Sequence, residues 1–415
     1  MASGSSGRTL VILLSAFSLV GYVLRMNISV ASPYMMAELH LDKIQMGQVF
    51  SAFMLGYALF QVPWGVFGDR IGPGFTLAVA GSIWAVTTML TGLAPGVLVP
   101  AGTASLIALM GIRFLLGVGQ AAAYPLASRA VASWLPSSRR ALSFSALIVG
   151  MAIGSAFTPP LVSWVMVHAG WRTSFYLTAL IALALTVWWV AAFRSTVKRP
   201  VNGGASTPAR RGSWLTVLKD RDVALMSLSY FFDSYVLFAF VFWLYIYLTE
   251  QRGFTIMQSG FYTALPFAVA IPLVPMAGYL CDHLAARYGA WGRRAIGMTG
   301  LGLSAMFLVV GINVASPAQA LAGLSLAVGF LLCTEPAYWS MSMDLGGAYA
   351  GTAGGIMNMA GNLGGVVSTA LVPILVSHFG WPFAFFSAAG CALVGAGLWM
   401  TVDVRSPTSA VGLPQ

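Results

Sequence analysis

The chain has 415 residues, 58% of them hydrophobic and only 8% charged, with a mean hydropathy of +0.83. A soluble domain carries about 25% charged residues, so the surplus of apolar side chains marks an integral membrane protein. The net charge of +10 is scattered between apolar runs, which argues against a nucleic-acid partner, and three cysteines without a pairing pattern (Cys281, Cys333, Cys391) argue against a disulfide framework.

A helix needs about 20 apolar residues to cross a bilayer. Twelve such runs follow one another, near 9–35, 45–67, 74–94, 103–133, 141–166, 173–193, 222–249, 257–280, 295–313, 319–345, 351–377 and 383–402. They are too long and too continuous for barrel strands, so the predicted class is an all-α membrane protein of twelve transmembrane helices. The start, "MASGSSGRTLVILL", does not read as a cleaved signal peptide, because its apolar run leads straight into further spans.

One long polar stretch interrupts the series. It divides the chain into an N-terminal six-helix bundle (1–194), a linker (195–221) and a C-terminal six-helix bundle (222–415). With the N-terminus inside, 16 of the 21 Lys and Arg fall on the cytoplasmic side; Lys43, Arg172 and Arg252 lie outside, and Arg25 and Arg113 lie within spans. That bias predicts cytoplasmic termini in a plasma or inner membrane. The halves also repeat. "VHAGWRTSFYLTAL" (167–180) matches "SHFGWPFAFFSAAG" (377–390), and "GVFGDRIG" (65–72) matches "GYLCDHLA" (278–285), at equivalent places in each half. Two parallel repeats with a site between them form a transporter architecture.

Charge inside the spans is the main pointer to chemistry. A cation at a helix centre costs about 2.5–3.5 kcal/mol on insertion scales. Arg25, in "GYVLRMNISVASP", is such a cation, with Tyr22, Ser29 and Ser32 expected on the same helix face. Its use is either bidentate capture of a substrate carboxylate or pairing with a carboxylate of the protein. Arg113 shares a face with Gly117, Gln120 and Tyr124; it either contacts the anion or lines the outer vestibule. Asp233 and Glu335 are the only carboxylates at membrane depth. Each is a proton-coupling candidate or a neutralising partner for arginine. Asp69 and Asp282 sit at repeated helix ends, where an acid can face a helix N-terminus and lock one conformation. The glycines at 346, 347, 351, 354, 355, 361, 364 and 365 read as a close-packing surface.

The stretch Gly65, Asp69, Arg70, Gly72 after the second span resembles the signature of the major facilitator superfamily. "R-x-N-x-S-V-A" from Arg25, "MGQVFSAFMLGYALFQVPWGVFGDRIG", "RFLLGVGQAAAYP" and "GTAGGIMNMAGNLGG" are similar to its anion:cation symporter branch. The resemblance implies alternating-access carriage of a small organic anion by a monomer, with no cofactor or metal, coupled to a proton or other ion by symport. It also implies that Tyr57, Trp339 and Asn358 line the cavity beside Arg25, Arg113 and Gln120. The chain departs from the branch at Leu24 and Gln120, where carboxylates commonly stand, and at Met151, where a glutamine is common. The first two bring the usual proton route into question, and the third favours an anion less polar than a sugar acid.

Rival classes fare worse. No HExxH, GxSxG or Cys/His cluster supports an enzyme. A uniporter or exchanger driven by membrane potential fits the loss of acidity at Leu24 and Gln120. A transport-dead sensor fits it too, although the short tails offer no signalling domain.

Overall fold

The structure, a computed structural model, describes residues 2–134, 140–195, 219–346 and 350–402. Residues 196–218, the greater part of the expected linker, lie outside that set. Among the described residues the chain is almost wholly helical and no strand forms; one isolated bridge joins Pro95 to Val99. In chain order the helices are α1 (Ala2–Leu39), α2 (Lys43–Ile71), α3 (Pro73–Leu93), α4 (Thr103–Gln120), α5 (Ala123–Trp134), α6 (Arg140–Ser195), α7 (Arg221–Glu250), α8 (Ile256–Tyr288), α9 (Ala290–Asn313), α10 (Pro317–Leu332), α11 (Glu335–Gly346) and α12 (Ala350–Thr401).

These twelve helices are partitioned differently from the twelve expected spans. The 56-residue α6 and the 52-residue α12 each contain two spans joined at a sharp bend. The bends fall at Gly170 (φ 79°, ψ 162°) and Gly380 (φ 81°, ψ 171°), a left-handed backbone that favours glycine. Both glycines belong to the repeated "GW" motif, so the repeat has the same backbone in both copies.

The expected fourth and tenth spans are each broken instead. The breaks are Ala121–Ala122, between α4 and α5, and Cys333–Thr334, between α10 and α11. Pro125 and Pro336 explain them. Neither can donate to the carbonyl four residues back (Ala121 and Leu332), and each ring crowds that carbonyl. The turns tighten to i→i−3 bonds, from Ala122 N to Gly119 O (3.4 Å) and from Thr334 N to Leu331 O (3.0 Å).

The repeat recurs at one end of the molecule. Asp42 and Gln45 exchange reciprocal bonds at the start of α2 (2.9 and 2.7 Å), and Thr255 and Gln258 do so at the start of α8 (3.0 and 3.3 Å). Both are capping boxes that satisfy orphan helix donors. Glu38 ends α1 and Glu250 ends α7, but their partners differ. Glu38 takes Trp171 Nε1 (2.6 Å) and Arg172 (2.5 Å), whereas Glu250 pairs with Lys43 (2.7 Å), which also lies over Trp381. The residue after Trp381 is Pro382, which offers no cation.

Contacts gather into two compact units. The first comprises 1–205, 238–271 and 365–384; the second comprises 206–237, 272–364 and 385–415. The six-plus-six division at the linker rests on the sequence repeat. In the first unit α1 packs on α6 and α2 on α4. Small residues set those distances. A Cβ on Gly56 would collide with the Phe114 carbonyl, one on Gly117 with the Phe53 carbonyl, and one on Gly154 with the Leu19 carbonyl. In the second unit a Cβ on Gly364 would strike the Phe231 carbonyl, and one on Gly361 would strike Tyr230 and Ser234. That supports the expected packing role for these two glycines, whereas Gly355 faces open space. Large apolar side chains such as Phe75, Ile107 and Met276 are exposed, while Arg25, Asn27, Arg113 and Asp233 are buried. This inversion suits a lipid surround. Many buried hydroxyls bond back to a carbonyl one turn earlier, as Thr87, Thr158 and Thr369 do.

Two substitutions on α4 test the close approach. Gly117→Ala should destabilise the protein by roughly 1–3 kcal/mol through forced separation from α2. Gly111→Ala, where a Cβ meets open space, should be neutral or slightly stabilising. Thermal melting of both variants in one detergent checks the difference; equal melting temperatures would contradict it.

Candidate functional site

In the first unit α1, α2 and α4 bring together Arg25, Tyr57 and Gln120. Arg25 is 3% exposed, and its guanidinium sits among four rings: Tyr22 (4.6 Å to the centroid), Tyr57 (4.7 Å), Phe53 (5.1 Å) and Phe238 (5.9 Å). Its hydrogen bonds are few and long. Nη1 donates to Tyr22 Oη and Nη2 to Gln120 Oε1, both at 3.4 Å, and Nε has no partner. Bonds of that length are weak. Among the described residues no carboxylate forms an ion pair with Arg25. Each desolvated cation–π contact is worth about 0.5–2 kcal/mol. Four of them are of the same order as the 2.5–3.5 kcal/mol that insertion scales assign to a central arginine. The aromatic cage therefore carries the charge while leaving most of the planar donor fork unspent.

Gln120 is held by its amide nitrogen, which donates to Gly21 O (2.9 Å). That bond turns Oε1 toward Arg25. Gln120 is the last residue of α4 before the break, and Tyr124 follows on α5, bonded to Ser18 (3.1 Å). Gly21, Tyr22, Arg25, Tyr57, Gln120 and Tyr124 line one narrow cavity. The expected continuous face from Arg113 to Tyr124 does not exist, because the helix is interrupted between them; Gln120 and Tyr124 converge on the cavity all the same.

One expectation for α1 is corrected. Ser29 and Ser32 do not extend a polar stripe from Arg25. Ser29 Oγ donates to Phe242 O (2.8 Å) and Ser32 Oγ to Ser29 O (2.7 Å). Asn27 is engaged by Thr178 (3.0 Å) and Ser174 (2.8 Å) on α6, so it fastens α1 to its neighbour.

Arg113 is fully buried in the first unit, not on its surface. Among the described residues its Nε, Nη1 and Nη2 all lack a hydrogen-bond partner, and its guanidinium carbon lies 5.1 Å from the Phe53 centroid. Phe53 is thus flanked by both arginines. They are near enough for mutual electrostatic repulsion.

In the second unit Asp233 and Glu335 lie close enough to interact electrostatically. Glu335 opens α11, immediately after the break. It accepts from Tyr230 Oη (3.1 and 3.2 Å) and Trp339 Nε1 (3.0 Å). Thr334 Oγ1 lies 2.9 Å from Asp233 Oδ1 and 2.6 Å from Leu331 O, one proton facing two acceptors. Tyr338 and Ser229 share a hydroxyl contact one turn away (2.6 Å). Among the described residues neither carboxylate forms an ion pair. Asn358 is half-buried; its carbonyl accepts from Asn362 Nδ2 (2.7 Å).

The side chains of Gly65, Asp69 and Arg70 lie outside the described residues. Asp282 is exposed at the end of α8. Nearby, Arg293 pairs with Asp344 and donates to Ser340 O (3.3 Å). Among the described residues no cluster of three His, Cys, Asp or Glu gathers. Sequence reading missed two features: Phe53, which touches both arginines, and the paired helix breaks beside Gln120 and Glu335. The signal for the breaks was present as "AAAYP" and "TEPAY", a proline at matching places in two spans. Interrupted helices in corresponding positions of two repeats mark transporter binding sites.

Known proteins place this arrangement in a family. The model of the Major Facilitator Superfamily matches residues 13–369. A probable sulfoacetate transporter of Cupriavidus necator is 33% identical over 402 residues, covering 91% of this chain and 89% of that protein. A hexuronate transporter of Bacillus subtilis is 29% identical, covering 93% and 92%. The crystal structure of a bacterial homologue of the human lysosomal transporter Spinster superposes with a TM-score of 0.80 at 16% identity, covering 97% of this chain and 99% of that one. The duplicated helical fold and these matches together establish that the chain is a multi-pass membrane protein belonging to the Major Facilitator Superfamily of transporters, and not an enzyme.

Proposed function

We propose that this protein is a secondary active transporter of a small organic anion, working by alternating access in the plasma or inner membrane with both termini cytoplasmic. The observation that carries the reading is Arg25: a buried guanidinium, caged by rings, with weak hydrogen bonds and no carboxylate partner among the described residues. An anion supplies the missing counter-charge. Tyr57 and Gln120 flank it, and Arg113, Trp339 and Asn358 complete the proposed binding set. The relatives named as sulfoacetate and hexuronate transporters support the substrate class. The Lys and Arg bias supports the orientation, and the repeated acids support Gly65, Asp69, Arg70 and Asp282 as a conformational motif.

Arg25→Ala should lower anion uptake in proteoliposomes roughly a hundredfold or more while the protein still folds. Truncating one partner of a buried charge pair costs about 2–5 kcal/mol. Arg25→Lys should also fail largely, because a point charge cannot replace the planar fork. Uptake near wild type in either variant overturns the assignment.

Coupling runs through Glu335 and Asp233 in this reading. Leu24 and Gln120 cannot titrate, and these two are the carboxylates at depth. A proton on Glu335 would change its bonds to Tyr230 and Trp339, which span α7 and α11. Glu335→Gln should then exchange anion across the membrane but fail to concentrate it on a proton gradient. Proton-driven accumulation by Glu335→Gln combined with Asp233→Asn would rule the pair out.

Gln120 favours a second reading, an exchanger or uniporter driven by membrane potential. A glutamine cannot change charge, so anion binding beside it should depend weakly on pH. Gln120→Glu should restore sensitivity. The charged glutamate repels the anion and the neutral one does not, so affinity should fall as pH rises through the pKa of the new group. Calorimetric titration of both proteins across a pH series checks the sign; a steep dependence in wild type, unaltered by the substitution, contradicts it.

A further inference from the structure

We infer that the preferred substrate is a short dianion, bridged between Arg25 and Arg113. The inference rests on the anion-transporter reading above and adds the charge and length of the anion.

The first observation is charge balance. Within the first unit two guanidiniums are buried and neither forms an ion pair with a carboxylate among the described residues. The two side chains that accept from Arg25, Gln120 and Tyr22, are an amide and a phenol rather than carboxylates. A monoanion on Arg25 leaves Arg113 uncompensated in a low-dielectric interior. Uncompensated buried charge is the costly case; pairing removes that cost.

The second observation is donor supply. Arg113 is fully buried and all three of its nitrogens lack a partner. An arginine presents five N–H donors in a fixed fork and cannot shed its proton. Those donors ask for an acceptor that the described residues do not provide, and an anionic head with two or three oxygens is the matching group.

The third observation is distance. Both guanidinium carbons lie 5.1 Å from the centroid of the Phe53 ring, so they stand no farther apart than twice that distance. The close contact of α2 with α4, where a Cβ on Gly117 would strike the Phe53 carbonyl and one on Gly56 the Phe114 carbonyl, holds Phe53 near Arg113. A head bound through N–H···O contacts of about 2.8 Å uses up part of the gap on each side. That upper bound accommodates at most two heads joined by a short carbon chain, two carboxylates or a carboxylate and a sulfonate. A long or bulky spacer would have to arch away from one guanidinium.

The test compares each dianion with its own monoamide, a nearly isosteric monoanion. Malonate, succinate and sulfoacetate and their monoamides are titrated calorimetrically into purified wild-type protein, Arg25→Ala, Arg113→Gln and Arg113→Lys. The pH is one at which both acidic heads are ionised. Wild type should bind at least one dianion about tenfold or more tighter than its monoamide, a single decade of affinity. Arg113→Gln should bring that ratio near one, and Arg113→Lys should keep part of the preference. Should Arg113→Gln fail to fold, the wild-type ratio and Arg113→Lys still decide. Equal binding of dianion and monoamide, abolished in Arg25→Ala, overturns the dianion assignment and leaves the anion-transporter reading standing. A preference unchanged by both Arg113 substitutions removes Arg113 from the site and overturns the inference likewise. No Arg25-dependent binding of any probe overturns both readings.

Discussion

The organisation of this protein turns on a guanidinium that must stay charged where water is scarce. An arginine cannot neutralise itself by losing a proton, so its surroundings must stabilise it or its helix would not insert cheaply. Two solutions exist, a resident carboxylate or a polarisable cage. The cage formed by Tyr22, Tyr57, Phe53 and Phe238 is the second. The choice matters for function, because a resident carboxylate would compete with an anionic ligand and the π faces do not. The cage takes ring faces and leaves the N–H edges for acceptors.

The rest of the architecture keeps that arrangement in place. Glycines let α2 approach α4 until backbone meets backbone, and Phe53 on α2 lies within 5.1 Å of both the Arg25 and the Arg113 guanidinium carbons. The break after Gln120 frees the end of α4, and Gln120 is pinned by Gly21 so that its oxygen faces Arg25. The corresponding break in the other repeat puts Glu335 at the start of α11, beside Tyr230 and Trp339. One backbone device, a proline that interrupts a span, thus stands near a neutral amide before the break in one half and a carboxylate after the break in the other.

Much of this was legible in the sequence, and the reasons for the gaps are physical. Composition required a membrane protein and the apolar runs a helical one, and the runs fall on helices among the described residues. Arg25, Arg113, Asp233 and Glu335 stood out because charge at depth is costly and so carries information. The two-copy "GW" motif was visible, but its meaning, a left-handed glycine that turns one span into the next, needed φ and ψ. Ser29 and Ser32 looked like part of a polar face by helical periodicity. They are instead bonded to the Phe242 and Ser29 carbonyls, and the first of these partners is a tertiary neighbour more than two hundred residues away. Phe238 was unreadable as part of the cage for the same reason. The broken spans were readable in principle: Pro125 and Pro336 fall at matching places, and a proline inside a span removes a backbone bond wherever it occurs.

The central claim is that Arg25 supplies the charge that holds the transported anion. A structure of the full-length protein in lipid nanodiscs, determined by electron microscopy with sulfoacetate bound, addresses it most directly. The account predicts ligand density with an anionic head in bidentate contact with the Arg25 guanidinium, at about 2.7–2.9 Å from its nitrogens, with the Tyr57 ring against the same guanidinium. Ligand density elsewhere in the protein, with Arg25 still enclosed by its four rings and touching no anion, would contradict it.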